Sequence, residues 1–493
     1  MHVQLGARCD RVGVTLSAPS DVLRWRVVGR FLRWRYARTT LQLILLLIAS
    51  VLVLHGLFGP QVAPANLATV LSWVQYRGWL IIGLLAAGNF FCTGCPFVLV
   101  RDTGRRLRMP TLRWPRWLRV KWIAIALFVA VLFVYELYDL WALPRATAWL
   151  VLGYFAVALA VDLLFTGATF CKYLCPIGQF SFVASTMSPL ELQVKDGDTC
   201  RACRTVDCIK GRRDEVNPSR VLRRGCELAL FLPAKVGNLD CTFCLDCVQA
   251  CPHDNIALAT RVPGLELVDP RRRSGIGWLP RRRDVAALVV VFVFGGVINA
   301  LGMTAPARTA EQVLAQILGA RSEGPVLAAL FAVALVIVPL AMLAGAGAAT
   351  AWLTGRRISS ALDVASRYSY ALVPLGFGVW LAHYGFHLLT GVLTIVPVMQ
   401  SAAVDLLGWA ALGTPLWQLT GMRPGLVFPF EVGVILTGAA GSFVLAYLIS
   451  ERDHRLKPVA ATIPWAFVIV VITTAALWIT AQPMDMRAVA FPG

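Results

Sequence analysis

Residues 40–58 read TLQLILLLIASVLVLHGLF and carry no formally charged side chain. A helix needs about 20 predominantly apolar residues to cross the hydrocarbon core of a bilayer, so this stretch predicts a transmembrane helix. Eight further apolar segments follow at 67–91, 120–140, 147–169, 284–303, 325–345, 369–390, 427–449 and 463–481. The sequence therefore predicts an all-α polytopic membrane protein with about nine transmembrane helices.

The composition of the 493 residues supports this fold class. Hydrophobic residues make up 58% of the chain and charged residues 15%, and the formal net charge is +19. Arg-rich segments alternate with nearly uncharged loops such as 59–66 and 391–425, and the positive-inside rule places the Arg-rich segments in the cytoplasm. We therefore expect the bacterial inner membrane, a cytoplasmic N-terminus, a periplasmic C-terminus and no binding of nucleic acid.

The densest cysteine motif is Cys241-x2-Cys244-x2-Cys247-x3-Cys251-Pro252. In two-cluster bacterial ferredoxins this spacing holds [4Fe–4S] clusters, and the fourth cysteine ligates the other cluster. Zinc also binds closely spaced cysteine pairs, but a run that ends in Cys-Pro is unusual for zinc. The motif therefore predicts iron–sulfur clusters.

A looser set of cysteines lies upstream, at Cys200, Cys203, Cys208 and Cys226. Together, the eight cysteines fit two [4Fe–4S] clusters. With the exchange of ligands seen in two-cluster ferredoxins, the first cysteine set is Cys200, Cys203, Cys208 and Cys251, and the second is Cys226, Cys241, Cys244 and Cys247.

Two more cysteine pairs end predicted membrane helices, in Cys92-x2-Cys95-Pro96 and Cys171-x3-Cys175-Pro176. The proline after each pair stops the helix and turns the chain. We call these four residues the membrane-edge cysteines, because the predicted topology places them at the cytoplasmic surface. They fit a third metal centre or cluster, a redox-active thiol pair, or buried thiols that serve packing alone.

The motifs divide the chain into four parts. Residues 1–39 form a basic cytoplasmic N-terminus, and 40–183 form a four-helix membrane unit that carries the membrane-edge cysteines. Residues 184–283 form an inserted cytoplasmic ferredoxin-like domain with two [4Fe–4S] clusters, and 284–493 form a five-helix membrane unit. The Arg- and Trp-rich stretch 97–119 is typical of a segment in contact with anionic membrane lipids.

The order of these motifs resembles the NapH/NosR-type polyferredoxin membrane proteins, over roughly residues 40–260. The resemblance implies transfer of electrons between a quinone/quinol pool or a cytoplasmic reductant and a periplasmic redox partner. The partners it implies are soluble ferredoxin-type proteins and periplasmic cytochromes or reductases. The chain would be the electron-transfer subunit of an oxidoreductase, and a quinol dehydrogenase if a quinol is the donor. The alternative is a copper-handling or cupric-reductase membrane protein.

The second membrane unit offers ionisable side chains inside predicted helices, which usually serve a function. His383 and His387 are four residues apart and so share a helix face. His55, Glu136 and Glu431 are predicted at the same membrane depth. These residues could ligate haem b, exchange protons with a quinone, bind copper, or form hydrogen bonds between helices, and the sequence leaves these alternatives open.

Overall fold

The computed structural model describes residues 20–107, 109–217, 221–355 and 360–483, so Cys9 and the rest of residues 1–19 lie outside it. Within these ranges, eight helices are long and apolar enough to cross a membrane, and one further apolar helix is shorter. In chain order the nine are α1 (Ala37–Phe58), α2 (Leu67–Ala87), α3 (Trp122–Leu137, the shorter one), α4 (Pro144–Leu164), α5 (Arg283–Leu301), α6 (Glu323–Thr354), α7 (Ala361–Leu407), α8 (Pro424–Asp453) and α9 (Pro458–Thr480).

Each of the nine predicted segments coincides with one of these helices, and the polytopic membrane fold class is confirmed at this level. Helix α3 has 16 residues and spans about 24 Å, less than the roughly 30 Å of a hydrocarbon core. A count of nine spans therefore stays a prediction, as does the orientation in the inner membrane. Helix α2 ends before the predicted residue 91 because Gly88 adopts a φ of +72°, a conformation that favours glycine.

Shorter helices connect or flank the long ones. They are Val28–Arg33, Phe90–Thr93, Pro96–Leu107, Pro176–Ala184, Gly197–Ala202, Asp207–Lys210, Asp246–Ala250 and Ala305–Leu318. Three π-helical turns occur among the described residues: Val70–Tyr76 inside α2, Phe170–Leu174 after α4 and Val333–Ile337 inside α6. Such turns are frequent at functional sites, and the second of them contains Cys171.

The segment between the two membrane units holds three small antiparallel sheets. The main pair is β1 (Leu190–Val194) with β4 (Ile256–Thr260), in which Leu192 lies opposite Leu258. The others pair β2 (Arg212–Arg213) with β3 (Val221–Arg223), and β5 (Arg272–Arg273) with β6 (Gly277–Trp278). All eight cysteines of the first and second sets lie between β1 and β4, so this strand pair closes the cysteine-bearing loops at their base.

Helix α7 packs closely against its neighbours α5 and α8 within the second membrane unit. Trp380 on α7 is fully buried and donates its indole N–H to the carbonyl oxygen of Phe292 on α5 at 2.7 Å. Helices α7 and α8 approach closely at Gly378, where a β-carbon would lie 2.7 Å from the carbonyl oxygen of Val434. Small residues at such crossings allow close packing of membrane helices.

Candidate metal centres and a membrane cavity

The first cysteine set lines one small cavity. Cys200, Cys203, Cys208 and Cys251 all contribute to its wall, although they come from separate loops. Asn255 joins two of them, because its side-chain amide donates to the Cys200 sulfur at 3.4 Å and its backbone N–H donates to the Cys251 sulfur at 3.4 Å. The structure thus brings together the four cysteines that sequence reasoning assigned to one cluster.

The electrostatics of Cys208 agree with this proximity. Burial and the charges of Cys251, Cys200 and Cys203 raise the pKa of the Cys208 thiol to about 11. Four thiols held this close do not ionise together in water, whereas a metal centre deprotonates its thiol ligands outright. The donor set therefore fits a metal–sulfur centre.

The second cysteine set is more deeply buried. Cys241, Cys244 and Cys247 are less than a tenth exposed, and Cys226 is partly buried in the same hydrophobic cluster. Burial, followed by the charges of Cys244, Cys241 and Cys226, raises the pKa of the Cys247 thiol well above its ordinary value. These four residues also lie together as the sequence assignment requires, at a depth where free thiolates would be costly.

The loops around both sets have a strained backbone. Non-glycine residues rarely adopt a positive φ, and such strain persists only where the surrounding structure enforces it. Five of the six described non-glycine residues with a positive φ lie beside the eight cysteines: Val206, Ala229, Phe243, Leu245 and Asp254. These unfavourable backbone conformations therefore occur where the loops turn around the thiols.

A buried ion network fixes the second set to the membrane unit. Arg38 at the start of α1 bonds to Glu227 and to Asp246, each at 2.6 Å. Arg101 also bonds to Glu227, and it lies 3.6 Å from Asp162. Burial raises the pKa of the Glu227 carboxyl, but the charges of Arg101 and Arg38 outweigh it and hold that pKa at about 2.

Among the described residues, Glu227, Asp246 and Cys244 present ligand atoms within 4.8 Å of one another, a spacing that could hold a metal ion. Both carboxylates already bond to Arg38, however, and Glu227 also bonds to Arg101. A cation there would have to displace these guanidinium groups, so we interpret the group as an ion network rather than a metal site.

The membrane-edge cysteines also lie near one another. Cys175 is the most constrained, since its sulfur accepts the backbone N–H of Gly178 at 3.0 Å and lies 3.1 Å from the hydroxyl of Tyr154. Burial and the nearby charge of Cys175 raise the pKa of the Cys95 thiol to about 12. The arrangement fits a shared metal centre or a thiol pair, the two redox alternatives set out above.

These cysteines adjoin the second set directly. Asn89, one turn before Cys92, donates its side-chain amide to the carbonyl oxygen of Cys241 at 3.0 Å. Thr93 donates its hydroxyl to the carbonyl oxygen of Phe243 at 2.6 Å. The three groups of cysteines therefore form one continuous region at one end of the membrane units.

His55, one of the predicted cofactor residues, makes hydrogen bonds within the protein through both of its ring nitrogens. The ring nitrogen Nδ1 accepts the backbone N–H of Leu67 at 3.0 Å, and Nε2 lies 3.0 Å from a carboxylate oxygen of Asp405. Both nitrogens are therefore engaged, and neither is free to ligate iron. His55 instead joins α1 to the loop before α2 and to the end of α7.

The other predicted cofactor residues lie where α3, α5, α7 and α8 meet. The rings of His383 and His387 are 4.9 Å apart and nearly perpendicular, and the Nε2 atom of His387 lies 3.1 Å from the Met303 sulfur. Glu136 accepts a hydrogen bond from the side chain of Asn299 at 3.3 Å. A cavity of about 590 Å³ lies beside them, with His383 and Glu431 in its wall.

Sequence reasoning missed a buried cation in α2. The guanidinium carbon of Arg77 lies 4.3 Å from the ring centroids of Trp73 and Tyr135, and 5.2 Å from that of Tyr384. Arg77 is the single charged residue of the predicted segment 67–91, and a charge within a membrane helix is itself a signal of function. Its aromatic partners come from three helices, so only the structure could reveal them.

Over about two-fifths of its length, the chain is similar to membrane electron-transfer and regulatory proteins of the polyferredoxin type, which confirms the resemblance. It is 29% identical over 210 residues to the regulatory protein NosR of Pseudomonas aeruginosa, covering 38% of this chain and 25% of NosR. It is 24% identical over 224 residues to the putative electron transport protein YccM of Escherichia coli, covering 40% of this chain and 57% of YccM.

A third relative is the ferredoxin-type protein NapH of Escherichia coli, 25% identical over 195 residues, which cover 37% of this chain and 65% of NapH. The matched region thus spans between a quarter and two-thirds of these curated relatives. No protein-family model matches the chain. No solved structure matches it. The relatives support a role in membrane electron transfer.

Proposed function

We propose that this chain is a membrane-bound iron–sulfur protein that passes electrons between a quinone/quinol pool or a cytoplasmic reductant and a periplasmic redox partner. The observation that carries the proposal is the grouping of twelve cysteines into three adjoining sets at one end of two membrane units. Structural cysteines have no need of such grouping, and zinc does not explain a run that ends in Cys251-Pro252.

The chain supplies the sites as follows. Cys200, Cys203, Cys208 and Cys251 would hold one [4Fe–4S] cluster, and Cys226, Cys241, Cys244 and Cys247 the other. When bound, such a cluster takes up and releases a single electron at a potential set by charge, hydrogen bonds and burial. The backbone N–H groups of Leu230 and Asn255 already donate to cysteine sulfurs, at 3.3 and 3.4 Å.

The two cysteine sets differ in exposure, and this difference suits electron transfer between a soluble partner and the membrane. The first cysteine set lies at the surface, where Cys200 and Cys203 are partly exposed, and the second set is buried against the membrane unit. A soluble redox protein could therefore approach the first set directly. The second set adjoins the membrane-edge cysteines, which we propose hold a third centre between the cysteine domain and the bilayer.

The proposal is tested by the iron content and electron paramagnetic resonance of anaerobically purified full-length protein. Two four-iron clusters predict about eight irons per chain, and a third centre adds to this number. Cys244→Ser should remove the signal of one cluster. Cys9→Ser is the control, because Cys9 belongs to none of the three cysteine sets, and it should leave the iron content and the spectrum unchanged. An unaltered iron count in Cys244→Ser would refute the cluster assignment.

A second candidate function rests on His387 and Met303. An imidazole nitrogen and a thioether sulfur 3.1 Å apart are donors that suit copper, and the membrane-edge thiols are soft donors as well. Copper handling requires that purified protein bind Cu(I) stoichiometrically and that Met303→Leu weaken this binding. Retention of iron without copper favours the electron-transfer function instead.

A further inference from the structure

The cavity of about 590 Å³ lies far from the cysteine domain. Helix α5 begins beside that domain, where Arg282 donates to the carbonyl oxygen of Ile276 at 2.8 Å. Ala300, near the other end of α5, lines the cavity, about 26 Å further along the helix axis. Ile479 and Thr480 at the end of α9 line it too, so the cavity belongs to the opposite end of the membrane unit.

Two ionisable side chains in the wall of the cavity are unsatisfied. His383 is only 4% exposed, and its Nε2 atom has no hydrogen-bond partner among the described residues. Glu431 is 6% exposed, and no described side chain bonds to its carboxyl group. Buried polar groups are nearly always hydrogen-bonded, and leaving one unpaired costs about 1–3 kcal/mol. The unpaired His383 nitrogen, together with the Glu431 carboxyl group in the same cavity wall, indicates that a ligand completes the site.

The remaining residues of the cavity wall indicate which kind of ligand the cavity can accommodate. Apart from Thr304, Thr480 and Gln482, the described lining is apolar and includes Phe386, Phe428 and Ile435, and it contains no lysine or arginine. A volume of this size lies within the range of small-molecule sites, which combine apolar walls with a few polar groups. The wall therefore suits a neutral, largely apolar ring that carries oxygen atoms able to pair with an imidazole and a carboxyl group.

We infer that this cavity binds the ring of a membrane quinone or quinol, with His383 and Glu431 as hydrogen-bonding partners of its oxygens. The inference rests on the proposed electron-transfer function and names the site and substrate class for its membrane side. Phe428 is 40% exposed at the edge of the cavity, which places one wall beside the lipid that dissolves such a ligand.

A packed aromatic path leads from the cavity toward the membrane-edge cysteines. The ring of His383 is 5.5 Å from that of Tyr384, which is 4.9 Å from that of Trp380. Trp380 in turn lies 5.2 Å from Phe180, in the short helix that begins directly after Cys175. A ring bound beside His383 is therefore joined to the proposed third centre by contacts within the protein.

The same observations disfavour haem as the occupant. A low-spin haem needs an axial ligand on each side, and a histidine four residues away on the same helix cannot supply the second. His387 is bonded to Met303, and both nitrogens of His55 are engaged elsewhere. Glu431 is also unexplained by haem ligation, whereas a quinol hydroxyl gives it a partner.

The first test maps the site without any substitution. Full-length protein in lipid nanodiscs is irradiated with a photoreactive azido-ubiquinone analogue, and the labelled peptides are identified by mass spectrometry. We expect labelling of α7, α8 or α9 near His383, Glu431 or Ile479, and loss of labelling with excess unlabelled ubiquinone. Labelling confined to other helices, or labelling that unlabelled ubiquinone does not reduce, overturns the inference.

The second test uses variants of similar size. His383→Gln and Glu431→Gln should each weaken binding of a short-chain ubiquinone by about fivefold to tenfold, the equivalent of one hydrogen bond. His454→Gln is the matched control, because His454 is also a buried histidine but lies at the other end of α8. Unchanged affinity in both cavity variants, or b-type haem bands that vanish in His383→Gln, overturns the inference.

The outcomes also separate this inference from the function on which it rests. In one outcome, the iron signals are present and a quinol reduces the clusters, but the photoreactive label lies on other helices. The electron-transfer function then stands, and the assignment of the quinone site to this cavity is wrong. If the iron signals are absent, the proposed function fails, whatever the cavity binds.

Discussion

Thr93 donates its hydroxyl to the carbonyl oxygen of Phe243 at 2.6 Å, and so ties the loop of the membrane-edge cysteines to the loop of the second cysteine set. Both partners are buried, and Phe243 has a positive φ of 51°. Asn89 makes a parallel contact with Cys241. The cysteine domain is therefore bonded to the membrane unit at the cysteines themselves, which restricts relative movement of the proposed centres.

The first prediction concerns Asn89. Asn89→Leu removes the donor to the Cys241 carbonyl and leaves that buried oxygen unpaired, at a cost of about 1–3 kcal/mol. We expect a lower midpoint of thermal unfolding and earlier loss of the iron–sulfur absorbance on heating. Thr103→Val is the control, since its hydroxyl bonds only to the carbonyl of Leu99 on the exposed face of its own helix. Equal stability of the two variants would contradict a role for Asn89 in docking.

The second prediction concerns the buried ion network. Among the described residues, Arg101→Met leaves Glu227 with Arg38 as its one ion-pair partner and removes the guanidinium that lies 3.6 Å from Asp162. Breaking a buried pair from one side costs about 3–5 kcal/mol, because an uncompensated charge remains. We expect poor accumulation of the variant or a large drop in thermal stability, measured in detergent. Arg106→Met, the control, changes an exposed arginine on the same helix and should have a much smaller effect.

The third prediction concerns pH. Burial alone would raise the pKa of Glu191, but the charges of Lys235 and Arg261, together with hydrogen bonds from Lys235 and the Gly237 N–H, hold it below its ordinary value. A carboxyl group with a lowered folded-state pKa stabilises the fold above its unfolded value of about 4.3, and this contribution is lost as the pH falls through the folded value.

The measurement compares thermal unfolding of the wild type with that of Glu191→Gln. The wild type should be the more stable at about pH 6, and the difference should shrink below about pH 4.3. A difference that stays constant over this range would show that the charge of Glu191 contributes nothing. Glu215→Gln, a change at an exposed position in the same domain, is the control.

Hydropathy and spacing were sufficient for the membrane helices and for grouping the cysteines. Long apolar runs have few alternative structures, and thiol spacing of the Cys241–Cys251 type is restricted by the size of what it binds. The contact between Arg38 and Glu227 could not be predicted, because it joins residues 189 positions apart. Nothing local in the sequence indicates which acidic side chain a buried arginine will meet.

The histidines show the same limit. Sequence placed His55 and His383 at one membrane depth, but depth does not determine hydrogen bonding. His55 meets a carboxylate and a backbone N–H, whereas the Nε2 atom of His383 meets no described partner. Their roles differ because of packing between helices, which hydropathy cannot resolve.

The fourth prediction follows from this contrast. His55→Leu removes one buried and one partly buried hydrogen bond, and should destabilise the protein by about 1–3 kcal/mol because the buried Leu67 N–H is left unpaired. Because neither nitrogen is free for a ligand, the optical spectrum, iron content and quinone affinity should match those of the wild type. Loss of a spectral band in this variant would show instead that His55 is a cofactor ligand.

The fifth prediction tests the proposed third centre. Cys175 accepts the Gly178 N–H at 3.0 Å and contacts the Tyr154 hydroxyl at 3.1 Å, two contacts that the sulfur of a metal ligand could keep. Cys175→Ser should lower the iron content by the amount of one centre while the signals of the other two remain. Tyr154→Phe, which keeps the ring but removes the hydroxyl, should leave the iron content unchanged and shift the reduction potential of that centre downward, because a hydrogen bond to sulfur favours the reduced form. Iron content equal to that of the wild type in Cys175→Ser would show that the membrane-edge cysteines hold no iron, and would leave the thiol pair as their role.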